Sequence, residues 1–434
     1  MTGAASGAPP TSSGPEPRGL RRFGAVFADR RVRWATAGAV TGRLAQTILP
    51  LALLLAVEDR LHDFAAAGTV VATYALASAA GAPVVGRLVD RWGAAVLVGF
   101  AVLSAAATAG LAFSSTVPVM IGFAAAAGVT TPPLGASLRA VVVRALPERT
   151  QAAALSLDSV ATEVLFIVGP TVAGAVAAAG SPAAALFACA ALMLAGAVIF
   201  VPSGTGGTRR TPVVGARRPP SARVFAALAP VLIMAVALTF TVGLVEVGVT
   251  ARAQEWRTIE SAGPLLGLWA VGSVVGGLLY GGRDWPGSAR AHALILMPAV
   301  GFGFAVPSLA GSVAVMYPLM VLAGLAVAPA LTNLARLVAS RAPADSGTEA
   351  FAWLGASTAL GGAAGVAVAG VIVERWSGAA GLWTAGAVAV AATVLVPLLR
   401  PHRAAAAAGG SGEGGPGGRE VSPDRAEPAA APPE

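Results

Sequence analysis

The feature that most constrains this chain is the length of its apolar runs. A hydrocarbon layer about 30 Å thick is crossed by about 20 apolar residues of helix. Runs of that kind lie at residues 34–57, 66–85, 94–113, 118–138, 155–178, 182–202, 226–250, 262–281, 291–310, 313–333, 351–373 and 379–399. No water in the bilayer core satisfies backbone amides, so each run must be a helix. The chain is 56% hydrophobic and 12% charged, against about 25% charged in a soluble domain. Too little polar surface remains to cover twelve such helices in water. The expected fold class is an all-α membrane protein with twelve transmembrane helices.

An internal repeat divides the twelve into two pseudo-symmetric six-helix halves. Residues 127–174 align without a gap on 323–370, at a constant offset of 196. Gly128 meets Gly324, Pro133 meets Pro329, Pro147 meets Pro343, Gly169 meets Gly365 and Gly174 meets Gly370. Aligned Gly and Pro carry the match, because each marks a backbone constraint, whereas Ala matches are cheap in an Ala-rich chain. Duplicated halves are the sequence mark of many membrane transporters.

The arginines set the orientation. Of 29, the leader, the even-to-odd connections and the tail hold 24, while Arg60, Arg252, Arg257 and Arg375 lie on the other side and Arg43 lies within span one. Positive charge stays cytoplasmic, so both termini are expected inside, in the cell (inner) membrane. The expected organisation is a disordered basic leader at 1–33, a first half at 34–202, a cytoplasmic linker at 203–223, a second half at 224–400 and a disordered tail at 401–434. The linker reads SGTGGTRRTPVVGARRPPSAR, Gly/Pro-rich and basic as linkers are. A pI near 11.1 does not point to nucleic acid, since the arginines alternate with apolar runs and form no basic face. One cysteine, Cys189, and three scattered histidines, His62, His292 and His402, offer no intrachain disulfide and no metal cluster. No cofactor is expected.

Between spans two and three stands Gly86-Arg87-Leu88-Val89-Asp90-Arg91-Trp92-Gly93. It resembles the signature loop of the major facilitator superfamily, and with twelve spans in two related halves the resemblance covers about 34–400. The resemblance implies a conformational latch formed by Gly86, Arg87, Asp90, Arg91 and Gly93, holding the cytoplasmic side shut in one state. Physically, Gly86 permits close helix approach, Asp90 stands just before span three, where a carboxylate suits the helix N-terminus, and Arg91 can pair with a carboxylate or with exposed carbonyls. The plain alternative is a tight turn obeying the positive-inside rule. Basic residues expected after the last Gly are Ala94 and Ala95 here. The second half has a worn copy, Gly277-Leu278-Leu279-Tyr280-Gly281-Gly282-Arg283-Asp284-Trp285, with Gly281 where Asp90 stands.

Span five contains Gly169, Pro170 and Gly174, similar to part of the Gly-Pro motif of drug–proton antiporters. A kink used for packing explains the same residues. The Arg that such exporters place early in span four is Ala124 here, which weighs against the usual proton relay.

Charges inside the spans point to function, since each costs about 2.5–3.5 kcal/mol on insertion scales. Span one carries a polar stripe of Thr36, Arg43, Gln46, Thr47 and Pro50, and span five carries Asp158 and Glu163. At 1.5 Å per residue, Arg43 and Glu163 both lie roughly 12–13 Å in from the cytoplasmic ends of their spans, and Asp158 roughly 5 Å. The expected ion pair is therefore Arg43 with Glu163, leaving Asp158 without a cation, near the gate, as the proton carrier. A purely structural salt bridge is the alternative. Glu246 lies near the outer end of span seven, lining the cavity mouth or the interface. Thr130 and Thr131 sit beside Pro133 at a broken turn of span four, where freed carbonyls face a cavity. Asn333 is a candidate gate residue in span ten. Ser346 with Glu349 reads as a capping box for span eleven, although the resemblance implies that the latch also contacts this helix start.

The expected function is secondary active transport by alternating access, with a small amphipathic organic compound exported by a monomer in the lipid bilayer, possible coupling to protons, and no enzymatic activity. Uptake of a metabolite is the alternative within the same fold. An intramembrane enzyme would need a convergent His–carboxylate or metal constellation, and a non-transporting sensor would need an output domain. No G-x-x-x-x-G-K-[ST] loop is present and the chain has no Lys, so ATP does not drive it directly.

Overall fold

The computed structural model describes residues 21–179, 181–204, 221–343 and 345–398. The expected leader up to residue 20, the linker over 205–220 and the whole expected tail at 401–434 lie outside the described residues. Within them the fold is helical. A short α1 (Arg21–Val26) precedes α2 (Arg30–Leu61), α3 (Phe64–Trp92) and α4 (Ala95–Leu111). The fourth span is broken into α5 (Val117–Val129) and α6 (Leu134–Ala145), and α7 (Glu148–Ala179) and α8 (Pro182–Phe200) complete the first half. The second half runs α9 (Ser221–Glu255), α10 (Ala262–Gly281), α11 (Ala289–Ala305), a broken tenth span of α12 (Val313–Gly324) and α13 (Val327–Arg341), then α14 (Gly347–Arg375) and α15 (Gly378–Ala392). Eleven of the resulting spans are long and apolar enough to cross a membrane, and Ala95–Leu111 is a shorter apolar helix. Both halves thus show the expected six-helix pattern, and the break expected in span four recurs, unexpected, in span ten.

Helix ends follow local chemistry. Asp29 caps α2 by accepting from the backbone N–H of Arg31 at 2.7 Å, and Ser377 caps α15 by accepting from that of Ala380 at 3.1 Å. Such caps are worth about 1 kcal/mol each. Several helices overrun the predicted apolar bounds. α9 is the clearest case, because its polar ends continue the helix beyond the hydrocarbon.

The repeat has a packing basis. A Cβ on Gly128 would lie 2.9 Å from the Ser78 nitrogen, and one on its counterpart Gly324 would lie 2.7 Å from the Ser273 nitrogen. Both contacts bring the fourth span against the second of its own half. Gly169 likewise meets Thr47 (2.6 Å to Cβ), and Gly365 meets the Phe240 backbone (2.9 Å to Cα), which brings the fifth span against the first. In a bilayer, helices associate chiefly by such close backbone approach.

The same reasoning covers α2 and α8, where a Cβ on Gly196 would fall 2.6 Å from the Gly42 Cα. Gly196→Val should therefore lower the melting temperature of detergent-purified protein sharply or prevent its recovery. Gly174→Ala, with nothing within 4 Å of the new Cβ, should leave the melting curve within error of the parent. Equal behaviour of the two would refute this packing account.

Candidate functional site

The halves meet most tightly at the end of the molecule where the arginines gather. Near this Arg-rich face the first third of α7 is sealed: Ala153, Leu155, Ser156, Asp158 and Ser159 are all buried. Ser156 donates its hydroxyl to the Gly277 carbonyl of α10, and Thr332 of α13 donates to Ser159 at 3.1 Å. Farther along, Phe166, Ile167 and Val168 are exposed in succession. At 100° per residue these three bare most of the helix circumference, not just a lipid-facing stripe. α14 behaves alike, with Thr348 to Ala352 buried and Leu360, Val366, Val368 and Val371 exposed. The paired central helices are thus closed together at the Arg-rich end and bared at the other.

The signature segment bridges the halves here, but residues 86–92 continue α3 as helix where a loop was expected, and Asp90 meets the N-terminus of α14, not that of span three. Asp90, whose side chain is 2% exposed, accepts from the backbone N–H of Thr348 at 3.1 Å through Oδ1 and of Glu349 at 2.9 Å through Oδ2. A carboxylate from the first half thereby caps α14 of the second, satisfying two orphan donors with the favourable sign for a helix N-terminus. Gly86 permits the approach, since a Cβ there would lie 3.1 Å from the Thr348 carbonyl oxygen. Arg144 pairs with Asp90 at 2.7 Å. Arg87 donates to Ser221 Oγ at 2.6 Å and stands 3.9 Å from Glu349 Oε1. Gly93 ends α3 with φ +85°, a left-handed conformation natural only to glycine. Two expectations need correction. Arg91 lays its guanidinium over Trp92, 5.4 Å from the ring centroid, and Arg144 is the arginine on Asp90. Ser346 makes no side-chain cap, because Asp90 already occupies the N–H groups that a capping box would use.

Deeper in the first half the expected ion pair is replaced by another. Arg43 Nη1 lies 2.5 Å from Asp158 Oδ1, and Arg139 Nε lies 2.6 Å from Asp158 Oδ2. Arg43 also donates to Thr162. Glu163 points elsewhere and accepts from Ser273 Oγ of α10 at 3.2 Å, across the boundary between halves. Depth did not decide this; azimuth did. Asp158 and Thr162, four residues apart, share the face of α7 that meets α2, and Glu163 is turned a further 100° from Thr162. Asp158 is therefore not the free acid expected, since a guanidinium sits on each of its oxygens.

The remaining expected residues surround this arrangement. Gln46 donates to the Pro132 carbonyl at 3.0 Å, inside the break between α5 and α6. Thr130 and Thr131 donate to Ala126 and Ala127 carbonyls at 2.6 and 2.8 Å, and Pro133 stands at the N-cap of α6. Gly169 lies against α2, and Pro170 lies within α7 without ending it. Glu246 is exposed on α9, in electrostatic range of Glu163. Asn333 is buried and donates to the Ala289 carbonyl at 2.9 Å, so it ties α13 to α11 within one half and does not bridge the gate. Arg139, Arg144 and Ser273 escaped sequence reading. Both arginines are near a span end, where a positive-inside anchor accounts for them, and a lone Ser in an apolar run carries no signal.

Two six-helix halves, each with a broken fourth helix, and an intramembrane ion cluster beside a one-sided closure define a membrane transporter. The sequence matches the Major Facilitator Superfamily over residues 35–348, and the chain belongs to that family. The human organic anion transporter MFSD10 (TETRAN) has a similar structure at TM-score 0.68 and 17% identity, covering 85% of this chain and 99% of its own. A bacterial homologue of the iron transporter ferroportin in its outward-facing state has TM-score 0.63 and 16% identity, covering 86% of this chain and 99% of its own. At such identities the likeness concerns the fold. No curated protein sequence matches the chain.

The cluster predicts an asymmetry. Removing Arg43 or Arg139 leaves Asp158 with one cation, whereas Asp158→Ala leaves two guanidiniums together without a counterion, a loss of about 3–5 kcal/mol. Asp158→Ala should lower the melting temperature more than either arginine substitution. Arg43→Ala and Glu163→Ala should be additive in a double-mutant cycle, since the two side chains have separate partners. Strong coupling in that cycle would restore the pair expected from sequence.

Proposed function

We propose that this protein is a secondary active transporter that works by alternating access as a monomer, exporting a small amphipathic organic compound with proton coupling. In this reading the Arg-rich face is cytoplasmic in the cell (inner) membrane, and both termini lie on that side. Residues 34–202 and 224–400 are the rocking halves, joined by 203–223, with a leader at 1–33 and a tail at 401–434. The latch is Gly86, Arg87, Asp90 and Gly93 with Arg144. Gln46, Thr130, Thr131 and Pro133 shape the cavity wall beside the broken span, and Glu349 with Asp90 forms the gate.

The observation that carries the reading is the place of Glu163. Its α7 is sealed on the Arg-rich side and bared beyond, and Glu163 stands at the transition, bonded to Ser273 of the other half. A carboxylate there feels both the opening of the halves and the arrival of a proton or cation. Asp158, held by two arginines, is the fixed part of the machine, and Glu163 takes the coupling role. Glu246 is a second carboxylate within its electrostatic range. The apolar side chains bared on α7 and α14 suit a weakly polar partner. The organic anions named for MFSD10 stay with that protein, because 17% identity carries the fold only.

Transport can be followed with a fluorescent lipophilic dye in proteoliposomes under an imposed pH gradient. Glu163→Gln should abolish pH-driven dye accumulation while keeping dye exchange down its own gradient, with an unchanged melting temperature. Full pH-driven accumulation in Glu163→Gln would remove Glu163 from coupling. A parent protein that ignores the pH gradient would remove proton coupling altogether.

A further inference from the structure

Helix α1 belongs to the first half by sequence, yet its side chains reach both halves. Arg22, 8% exposed, binds Asp284 in the loop between α10 and α11 at 2.5 Å. Phe23 packs over the end of α10: a Cβ on Gly281 would lie 3.3 Å from its ring and 2.6 Å from Ser156 Oγ of α7. Val26, 2% exposed, and Phe27 line a cavity of about 150 Å³ together with Leu138, Leu157 and Asp158. The aromatic ring therefore stands where α7 meets α10, beside the hydroxyl that Ser156 gives to the Gly277 carbonyl.

This position answers a gap in the second half. Its worn loop has Gly281 where the first-half loop has Asp90, so it supplies no carboxylate at that register. Asp284, three residues on, supplies one, and the leader brings a cation to it. We infer that α1 is a strap across the Arg-rich gate, a second latch in which Arg22 and Phe23 close the seam between α7 and α10 as Asp90 closes the seam between α3 and α14. Parting α7 from α10 pulls Phe23 off Gly281 or Arg22 off Asp284, so the strap favours the closed gate. The ring contributes the larger share, because Asp284 is 71% exposed and water screens its ion pair. An α1 that merely rests on the bilayer surface would leave the gate indifferent to these side chains.

The test needs no substrate, so it stands or falls apart from export and proton coupling. Ser159→Cys, in the full chain with Cys189→Ser, places a thiol at a buried gate position, 4% exposed. Its rate of labelling by a membrane-impermeant maleimide then reports gate opening in detergent. Arg22→Asp should raise the rate about two- to fivefold, the range for an ion pair with one exposed partner, and Phe23→Ala should raise it further. Combining Arg22→Asp with Asp284→Arg should return the rate to that of the parent, which a merely destabilised protein would not do. Unchanged labelling in Arg22→Asp and Phe23→Ala overturns the strap, and so does a charge swap that labels as fast as the single variant.

Discussion

A helix N-terminus in one half, capped by a carboxylate from the other, holds the closed face together. The start of α14 presents two backbone N–H groups with no partner in their own helix, and Asp90 accepts both. A helix end left bare when the halves part must find water or another acceptor. An interaction of this kind is worth about 1–2 kcal/mol, which is about five- to thirtyfold in an equilibrium between closed and open faces. That magnitude suits a switch. A much stronger latch would hold one state permanently, and a much weaker one would not bias the halves.

The carboxylates divide into kinds by their surroundings. Asp90 bonds across the halves at the face, Asp158 is neutralised within one half by Arg43 and Arg139, and Glu163 reaches across the halves to a neutral hydroxyl. Removing one partner from a buried ionic cluster leaves uncompensated charge, so the Arg43–Asp158–Arg139 group behaves as a fixed brace. Glu163 has no such brace, and under the proposed mechanism its hydrogen bond to Ser273 of α10 would change if α7 and α10 part.

Much of this architecture was legible in the sequence, because it rests on constraints that single residues reveal. Apolar run length gave the spans, and the paired glycines and prolines gave the two halves. The structure shows why those residues align: Gly128 with Gly324, and Gly169 with Gly365, serve the same helix crossings in each half. The segment from Gly86 to Gly93 was readable as a resemblance, but its partner was not: Asp90 was expected to serve the start of span three and instead serves the start of α14. The partners were less legible. Depth along a helix can be counted from sequence, but azimuth between helices depends on packing, and that decided Asp158 over Glu163 for Arg43. Ser346 and Glu349 satisfy the local pattern of a capping box, and a carboxylate more than 250 residues away in the chain took its place. Arginines at span ends all look like anchors, so Arg22, Arg139 and Arg144 gave no sign of their specific contacts.

The central claim is that Asp90 sets the balance between closed and open at the Arg-rich face, and a distance measurement across that face tests it most directly. Spin labels at Ala95 of the first half and Ser340 of the second, both exposed near that face, report the separation of the halves by double electron–electron resonance in a Cys189→Ser background. Asp90→Asn turns one acceptor into an amide N–H that faces a backbone donor, so the cap is lost with little change in shape. The account predicts one short-distance population for the parent and a substantial longer-distance population for Asp90→Asn. A distribution that Asp90→Asn leaves unchanged would contradict it.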